Sequence, residues 1–395
     1  MTRRPCWVEI SPRSFEENYK SLAAVSAVEL LAIVKADAYG HGLEFCAPAA
    51  ARTGAQWLGV TSVEEGVAAR ALCDAAGFPD TEILVIAGVF PGQSAAVVEA
   101  RLTTVVWDHW QLSELEAAAR SAGCAGGSVA VHLEFDTGMS RQGVGAAELD
   151  AILARFGGDS ALRLGGLMTH LYAADESDCT ATHAQFAVLE PMVARVFDAG
   201  LKPTLLHVGN SAAVLDGEVP ATLQRLCEKF ELRAMARPGL ALYGLVPEFE
   251  PDEPPVVTAW RGKLQRVLEW KTRVTSVREI PAGQAVGYNG TFVASEPMRV
   301  ALLAVGYADG LKRALSNRGH VLVRGERAPI VGRISMDQTI VDVAGITGVK
   351  PGDEVVLLGR QGTGTITAEE HAAWAGTISW EIFTSITDRV ERREC

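Results

Sequence analysis

Residues 30 to 42 read LLAIVKADAYGHG, where an apolar run ends at Lys35 and a turn with two glycines follows. A run that is apolar throughout is typical of a strand covered on both faces, as in a parallel sheet wrapped by helices. The pattern therefore predicts a lysine at the carboxyl end of a buried strand. A charged amine at that position needs an explanation, because burial disfavours its charged form.

The same pattern of apolar run, turn and helical segment repeats as far as Gly244. The other runs cover residues 57–60, 82–88, 102–107, 129–135, 162–170, 204–209 and 232–240. The intervening segments, such as 62–77 and 183–200, begin with polar or acidic residues and end at glycine, as capped helices do. Eight such units predict a closed (β/α)8 barrel, whose active sites lie at the carboxyl ends of the strands. An open doubly wound sheet is the structural alternative, but it often has a Gly-rich first turn, which this chain lacks.

The character of the sequence changes after Gly244. Residues 247 to 255, PEFEPDEPP, are acidic and rich in proline, which predicts a linker. Alternating runs then follow at 267–280, 298–306, 319–325, 328–334, 338–343 and 353–359, with a helical segment near 368–376. We therefore predict an α/β barrel over residues 1–246, a linker over 247–255 and a mainly antiparallel β domain over 256–395. The first ten or so residues could pair with the second domain.

Composition narrows the classes of function. The net charge of -12 over 395 residues argues against a nucleic-acid partner, which needs a basic surface. No apolar stretch is long enough for a membrane span, and the first residues, MTRRPCWVEI, do not resemble a secretory signal. The seven cysteines are scattered and include no C-x-x-C pair, which favours reduced thiols and no metal centre. We expect a cytoplasmic protein that acts on a small molecule.

Polar side chains follow several of the predicted strands. They are Lys35, Tyr39, Asp136, Arg141, His170, Asn210, Ser211 and Arg237, with Gly239 beside them. Taken singly, Lys35 could be a surface lysine, His170 a structural histidine, and Arg237 part of a turn. Together, these groups from five strand ends could bind an anionic phosphate and form an imine. Convergence at one barrel mouth favours a cofactor site.

Six segments resemble the alanine racemase family, the pyridoxal-phosphate (PLP) enzymes built on a barrel with a β domain. They are AIVKADAYGHG (32–42), FDTGMSRQG (135–143), HVGNSAA (207–213), ARPGLALYG (236–244), VGYADG (305–310) and RISMDQTIVD (333–342). The resemblance runs from Trp7 to about Arg389, and the segments occur in the family's order. It implies interconversion of L-alanine and D-alanine, with the product supplied to a bacterial cell wall.

The resemblance also implies which residues bind the cofactor. Lys35 would form the internal Schiff base with PLP, and Arg237 would face its pyridine nitrogen with His170 behind. The remaining cofactor-binding residues are Tyr39, Asn210, Ser211, Gly239, Leu240 and Trp380, of which Gly239 and Leu240 would bind the phosphate through backbone amides.

The substrate-binding residues implied by the resemblance are Arg141, Tyr307 and Met336. Tyr288, in VGYNGTF, would be the second catalytic base beside Lys35, and Glu134 and Asp337 would support the site. In the family the β domain of one subunit covers the barrel of the other. We therefore expect a homodimer with shared active sites.

Racemisation of an amino acid requires two bases in the active site. Removal of the α-proton needs an electron sink, which PLP provides, and inversion needs one base on each face of the planar intermediate. Lys35 and Tyr288 can act as bases only with lowered pKa values, and for the tyrosine we expect the lowering from the positive charges of Arg141, Arg237 and His170. A guanidinium such as Arg237 does not readily donate its proton, so the pyridine nitrogen would stay unprotonated.

Two positions depart from the family pattern. Many relatives have a carboxylated lysine where this chain has Glu134, and we expect Glu134 to pair with Arg141 directly or through water. Trp380 stands where the family has a tyrosine whose hydroxyl touches the phosphate, and the indole can donate but not accept a hydrogen bond. The choice among alanine, serine and other small amino acids stays open at this point.

Two other activities use related architectures. A decarboxylase is the nearest alternative, but the chain lacks a cysteine-bearing loop of that kind in the second domain. A noncatalytic PLP carrier is the alternative from another class, and it would not account for Tyr288 or for the second domain.

Overall fold

The computed structural model describes residues 4 to 395 and divides into two compact units. The barrel unit consists of Arg13–Ala38 and Cys46–Gln265. The β unit consists of the residues up to Pro12, Tyr39–Phe45 and Arg266–Cys395. Among residues 4 to 395, no helix is long and apolar enough to cross a membrane.

The chain begins with strand β1 (Cys6–Ile10), which belongs to the β unit. Eight parallel strands then form a closed barrel, because β2 pairs with both β3 and β9. These strands are β2 (Glu29–Ile33), β3 (Trp57–Val60), β4 (Glu82–Val85), β5 (Thr103–Val106), β6 (Val129–Glu134), β7 (Leu162–Met168), β8 (Leu205–His207) and β9 (Arg233–Ala236). Each one lies within or beside a predicted apolar run. The predicted barrel is confirmed.

Helices alternate with these strands along the chain. They cover Pro12–Val25, Leu43–Arg52, Val63–Ala75, Ser94–Glu99, His109–Ser121, Leu149–Leu153, Thr180–Asp198, Ser211–Asp216 and Glu218–Lys229, followed by the 3-10 turn Leu240–Tyr243. Capping side chains fix several of their starts. Ser62, for example, accepts a hydrogen bond from the amide of Glu65 at 3.1 Å, which satisfies a backbone donor that has no partner inside the helix.

The barrel interior contains a buried imidazole among its apolar side chains. His132, on β6, is 1% exposed, and its ring lies 5.2 Å from that of Trp57. The neighbouring strand leaves space for the ring at Gly166, because a Cβ there would lie 2.8 Å from the imidazole. A glycine on β7 therefore allows a polar side chain inside the barrel.

Residues 247 to 255 pack on the barrel unit, which differs from the predicted linker. Phe249 is buried, and the backbone of Glu250 bonds to Asp175 and Ser177 at 3.1 and 2.9 Å. A short helix, Pro255–Thr258, follows. The backbone of Gln265 is held by the Asn18 side chain, and the division between the units falls after this residue. The apolar Phe249 and the backbone bonds of Glu250 anchor a segment whose proline and acidic content predicted a free linker.

The β unit contains one large sheet and a small two-stranded one. Its strands after β1 are β10 (Leu268–Ile280), β11 (Ala285–Val286), β12 (Phe292–Val293), β13 (Met298–Leu303), β14 (His320–Val323), β15 (Glu326–Pro329), β16 (Thr339–Asp342), β17 (Glu354–Gln361), β18 (Gly364–Ile366) and β19 (Glu391–Glu394). All the pairs are antiparallel except that of β1 with β19. The predicted antiparallel domain is confirmed.

Three short 3-10 turns and two helices complete the β unit. The turns cover Tyr288–Gly290, Tyr307–Asp309 and Arg313–Leu315, and the helices cover Ala368–Ala375 and Ser379–Thr384. Thr367 and Glu370 form a capping box at the start of the first helix, which lies where the sequence predicts one.

One predicted strand is largely absent. Of the run 328–334, only the first two residues belong to a strand, β15. Gly332 has a φ of +77°, and a Cβ there would lie 2.6 Å from the carbonyl oxygen of Val286. The backbones at Gly332 and Val286 approach so closely that a side chain at position 332 would not fit, which is why glycine is found there. The positive φ of Gly332 interrupts the strand.

Candidate active site

Lys35 begins a left-handed turn directly after β2. Ala36, Asp37, Ala38 and Tyr39 all have φ between 51° and 54°, a region that residues with a Cβ seldom adopt. Two bonds support the winding: the amide of Ala38 donates to the Val34 carbonyl at 2.9 Å, and the amide of Asp37 donates to Glu65 Oε1 at 2.9 Å. The turn lies at the carboxyl end of the strand, as an active-site turn of a barrel does.

Burial lowers the pKa of the Lys35 amine, and the positive charge of Arg141 lowers it further. The carboxylate of Glu65 opposes this shift in part. The direction agrees with the requirement for a base at this position. A lowered pKa increases the fraction of neutral amine at physiological pH.

Arg237, which follows β9, is 4% exposed and is held by a set of neutral acceptors. Its Nη1 donates to the carbonyl of His207 at 2.6 Å and lies 3.3 Å from Nδ1 of the same residue. Its Nη2 donates to the Thr169 carbonyl at 2.9 Å and lies 3.1 Å from Nδ1 of His170. Since a guanidinium has five N–H groups, only the Nε–H has no acceptor among the described residues.

The guanidinium fixes the tautomers of the histidines around it. Arginine only donates, so Nδ1 of both His207 and His170 must accept. His207 then carries its proton on Nε2, which donates to Nδ1 of His132 at 2.9 Å. A chain of oriented hydrogen bonds therefore runs from Arg237 into the barrel interior.

All three imidazoles are neutral at physiological pH. Burial lowers the pKa of His132 and of His170 to about 3, and lowers that of His207 well below its usual value. Arg237 adds a second, smaller lowering effect at His170. The expectation that His170 supplies positive charge to the site is therefore wrong. Its burial and its contact with a guanidinium exclude a second cation at that position.

Arg237 itself stays charged. Burial lowers its pKa to about 10, and the nearby carboxylate of Glu134 partly offsets this effect. At neutral pH the group is a cation that holds its protons.

Ser211 begins the helix after β8 and is buried. Its Oγ accepts from the amides of Gly239 at 3.0 Å and of Ala241 at 3.1 Å. The proton of this hydroxyl has no acceptor in the part of the chain that the structure describes. Asn210 precedes it and caps the helix by accepting from the amide of Ala213 at 3.3 Å. Ser211 therefore presents a donor beside the segment that contains Gly239 and Leu240.

Glu134 and Arg141 do not form the expected ion pair in the described part of the chain. The carboxylate of Glu134, 2% exposed, accepts a hydrogen bond from Gln142 Nε2, and Gln142 also donates to the carbonyl of Ile86 at 3.1 Å. Burial raises the pKa of Glu134, while the Gln142 bond and the charges of Arg237 and Arg141 oppose that shift. Arg141 acts on Glu134 through its field alone.

The loop that contains Arg141 explains this arrangement. Asp136 Oδ1 accepts from the amides of Gly138 and Ser140 at 2.9 and 3.0 Å. The loop closes where the amide of Val144 donates to the Glu134 carbonyl at 2.8 Å. This closure brings Gln142 to Glu134 and leaves Arg141 exposed at the tip.

Two predicted cofactor residues lie in the β unit. Tyr39 is buried, and burial raises the pKa of its hydroxyl to about 12, so the hydroxyl is a donor at neutral pH. Trp380 lies half-buried in the helix Ser379–Thr384, where its carbonyl accepts from Thr384 Oγ1 at 2.8 Å.

The β-unit residues predicted to act on the substrate are solvent-exposed in the single chain. Tyr288, Tyr307 and Met336 are 67%, 41% and 53% exposed. Backbone bonds link two of their segments, because the amide of Tyr307 donates to the Ser335 carbonyl at 3.1 Å. The next residue, Ala308, donates to the Met336 carbonyl at 3.0 Å.

Charged pairs hold the same two segments. Arg4 forms ion pairs with Asp309 and Asp337, both at 3.0 Å, and Arg389 reaches Asp337 at 2.6 Å. The hydrogen bonds from Arg389 and Arg4 lower the pKa of Asp337. Two arginine side chains therefore hold Asp337 in place.

His132, His207 and Gln142 contact the site residues but are not among those predicted from the sequence. The two histidines could have been noticed in the sequence, because each lies inside an otherwise apolar strand, in VAVHLEF and TLLHVG. No sequence feature distinguishes Gln142, because its contact with Glu134 depends on how the loop closes.

The residues present fit PLP. The Nε–H of Arg237 can donate to an aromatic nitrogen, Ser211 can donate to a phosphate, and the amine of Lys35 has a lowered pKa. Barrel and donor set together define a barrel-type PLP enzyme.

Comparison with known proteins agrees with this class. Residues 10–247 match the family described as alanine racemase, N-terminal domain, and residues 267–394 match alanine racemase, C-terminal domain. The chain is 40% identical to an alanine racemase from Symbiobacterium thermophilum over 391 residues, covering 98% of this chain and 97% of the relative. The chain therefore belongs to the alanine racemase family, whose members are PLP-dependent amino-acid racemases.

Solved structures show the same fold. An alanine racemase from Streptomyces lavendulae superposes with a TM-score of 0.88 at 32% identity, over 100% of this chain and 98% of that one. An alanine racemase from Bartonella henselae, at 26% identity and a TM-score of 0.80, covers 99% of both chains. That protein was crystallised with covalently bound pyridoxal phosphate.

Proposed function

We propose that this chain interconverts L-alanine and D-alanine with PLP bound at the carboxyl end of the barrel. One observation carries the proposal: Arg237 is held by neutral acceptors on His207, Thr169 and His170, with its Nε–H left over. A cation so placed donates a hydrogen bond but keeps its proton, because its pKa stays near 10. An aromatic nitrogen beside it remains unprotonated.

Bound PLP supplies the electron sink that lets the α-proton of the amino acid leave. The chain supplies the groups that move this proton. Lys35 serves as one base, and its lowered pKa supports this role. Tyr288 serves as the second base on the opposite face, as the resemblance of VGYNGTF to the family implies. Two bases on opposite faces produce inversion, because one removes the proton and the other returns one.

The remaining assignments follow the family pattern. The phosphate is bound by the hydroxyls of Tyr39 and Ser211 and by the backbone amide of Leu240, with support from the high pKa that keeps the Tyr39 hydroxyl protonated. The amide of Gly239, expected to bind the phosphate as well, instead donates its only N–H to Ser211 Oγ at 3.0 Å. The other cofactor residues are His170, Asn210 and Trp380. The substrate-binding residues are Arg141, Tyr307 and Met336.

We propose further that the enzyme is a homodimer with shared active sites. The exposure of Tyr288, Tyr307 and Met336 in the single chain supports this assignment, since residues that act on a substrate must become covered. A cytoplasmic location and a role in D-alanine supply belong to the same proposal. The seven free cysteines support a reducing compartment.

The test is exchange and inversion in heavy water. Purified protein with PLP is incubated with L-alanine, and the α-proton signal and the optical rotation are followed together. We expect the α-proton signal and the optical rotation both to be lost with the wild-type chain. Neither should change when the Lys35→Ala variant is used. An unchanged sample with the wild-type chain would support the noncatalytic carrier instead.

A panel of amino acids settles the substrate. We expect the highest rate of D-isomer formation with L-alanine. A higher rate with L-serine would assign the enzyme to another small amino acid, with Trp380 as the first position to examine. Release of carbon dioxide would indicate a decarboxylase.

A further inference from the structure

Arg392, on the C-terminal strand β19, joins two parts of the β unit. Its Nε donates to the Gly40 carbonyl at 2.9 Å, and its Nη2 donates to the Ile386 carbonyl at 2.9 Å. Its Nη1 reaches the carbonyls of Thr387 and Val390 at 3.3 and 3.2 Å. One half-buried guanidinium therefore binds four backbone oxygens, one of which lies at the end of the left-handed turn.

That turn needs external support. Four consecutive residues with a Cβ, from Ala36 to Tyr39, have a left-handed backbone, which is unfavourable for L-residues because the Cβ approaches the following carbonyl oxygen. Such a strained conformation persists only where the surroundings impose it. The turn therefore depends on contacts at both of its ends.

The far end of the turn is tightly packed. A Cβ at Gly40 would lie 2.5 Å from the Phe383 carbonyl oxygen, so the backbone there abuts the helix Ser379–Thr384. The rings of His41 and Phe383 are 4.8 Å apart in an edge-on contact. Arg392 adds the hydrogen bond to the carbonyl of Gly40.

The segment to which Arg392 ties the turn is itself fixed. The amide of Thr387 donates to the Asp309 carbonyl at 3.2 Å, and its Oγ1 donates to Ala308 at 2.9 Å. Asp309 is fully buried and pairs with Arg4 at 3.0 Å. The bonds of Arg392 therefore connect Gly40 to a hydrogen-bonded segment of the same unit.

We propose that Arg392 is a positioning residue for cofactor binding, which acts by holding Gly40 and thereby the left-handed conformation that places Tyr39. The inference rests on the proposed function, in which Tyr39 binds the phosphate of PLP. Arg392 acts through the backbone of the turn and needs no contact with the cofactor. Lysine cannot replace it fully, because a single ammonium cannot bridge Gly40 and the 386–390 segment with the fixed fork of a guanidinium.

The experiment compares Arg392→Ala and Arg392→Lys with the matched control Arg393→Ala. Arg393 lies on the same strand, where it bonds to Glu391 and lies over the Trp7 ring. Each apo protein is titrated with PLP, and binding is followed by visible absorbance. Amide hydrogen exchange of residues 36 to 41 and the melting temperature of the apo protein are measured in parallel.

We expect Arg392→Ala to weaken PLP binding about tenfold or more, as loss of a charged hydrogen bond to a strained turn would. Exchange at residues 36 to 41 should accelerate. Arg392→Lys should restore part of both, and Arg393→Ala should stay within about twofold of wild type in PLP affinity. If Arg392→Ala does not fold, the Lys variant decides by the same two readouts.

A purely structural role would give another pattern. The melting temperature would fall while PLP affinity and exchange at residues 36 to 41 stayed at wild-type values, which would overturn the proposal. Failure of the wild-type chain to bind PLP would instead contradict the proposed function. In that case the exchange rates alone decide whether Arg392 holds the turn.

Discussion

Arg237 and His207 contact each other twice, because Nη1 of the arginine reaches both the ring and the carbonyl of the histidine. The contact requires a neutral imidazole. A protonated His207 would direct an N–H donor at the N–H donor of Arg237 and would place two positive charges side by side. The same condition holds for His170 on the other side of the guanidinium. The centre of the proposed site is therefore sensitive to acid.

The first prediction is acid instability between pH 6.5 and about 3. His132, His170 and His207 have folded-state pKa values far below the unfolded value of 6.5, so the unfolded chain binds more protons in this window. The free energy of unfolding is unaffected by the titration of these histidines above pH 6.5. As the pH falls below 6.5 it decreases, by up to about 1.4 kcal/mol per pH unit for each histidine. Urea unfolding at pH 7.5, 6 and 5 measures it.

A matched pair of variants tests the same effect at a fourth buried histidine. His371 is buried in the β unit with a pKa lowered to about 4 by burial, so His371→Gln should reduce the acid slope. His109→Gln, at an exposed position, serves as the control substitution. Unfolding midpoints that do not move with pH would contradict the account.

A second prediction concerns Glu134. Activity should not depend on bicarbonate, because no lysine stands at this position to be carboxylated. Glu134→Lys, which restores the residue of many relatives, should make activity depend on added bicarbonate. Equal bicarbonate dependence of the two proteins would show that the carboxylate does not replace a modified lysine.

The missing ion pair changes the effect expected of Glu134→Gln. Breaking a buried pair costs about 3–5 kcal/mol, but here Arg141 and Arg237 act on Glu134 through space. We therefore expect a loss of about 1 kcal/mol in substrate or PLP binding, measured by titration. A loss larger than a hundredfold would indicate a direct contact in the working enzyme.

A third prediction is that Trp380→Tyr tightens PLP binding. The change introduces the hydroxyl that, by the resemblance to the family, contacts the phosphate from this position. One net hydrogen bond would strengthen PLP binding by roughly 1 kcal/mol. Cofactor dissociation constants of the two proteins provide the comparison, with Trp380→Phe as the control without a hydroxyl. Weaker binding by the Tyr variant would mean that the indole has a partner of its own.

The sequence predicts the barrel well because its strands are buried on both faces and read as continuous apolar runs. The left-handed turn is not predictable in this way. Residues 36 to 39, ADAY, contain no glycine, the residue that adopts positive φ most readily, so the conformation must be imposed by tertiary contacts.

The β unit shows the same limit. Strand β19, ERRE, is charged throughout, and its pairing with β1 depends on partners that are distant in sequence. At the site, the positions after the strands could be predicted from the barrel alone. The contact of Glu134 with Gln142 could not, because loop closure decides which of two neighbouring side chains points inward.

A fourth prediction tests shared active sites. Mixing inactive Lys35→Ala chains with inactive Tyr288→Phe chains should restore activity, because each heterodimer would contain one intact and one doubly damaged site. With equal amounts and random pairing, about half of the chains enter heterodimers, so activity should reach about a quarter of the wild-type value per site. Heterodimers that form without activity would place both bases in one chain.

The most direct measurement is chemical identification of the lysine that holds the cofactor. The holoenzyme is reduced with borohydride, digested and mapped by mass spectrometry, with Lys35→Ala treated in parallel. We expect a pyridoxyl group on Lys35 in the wild-type chain and none on any lysine of the variant. A pyridoxyl group on a different lysine of the wild-type chain would show that Lys35 does not bind the cofactor.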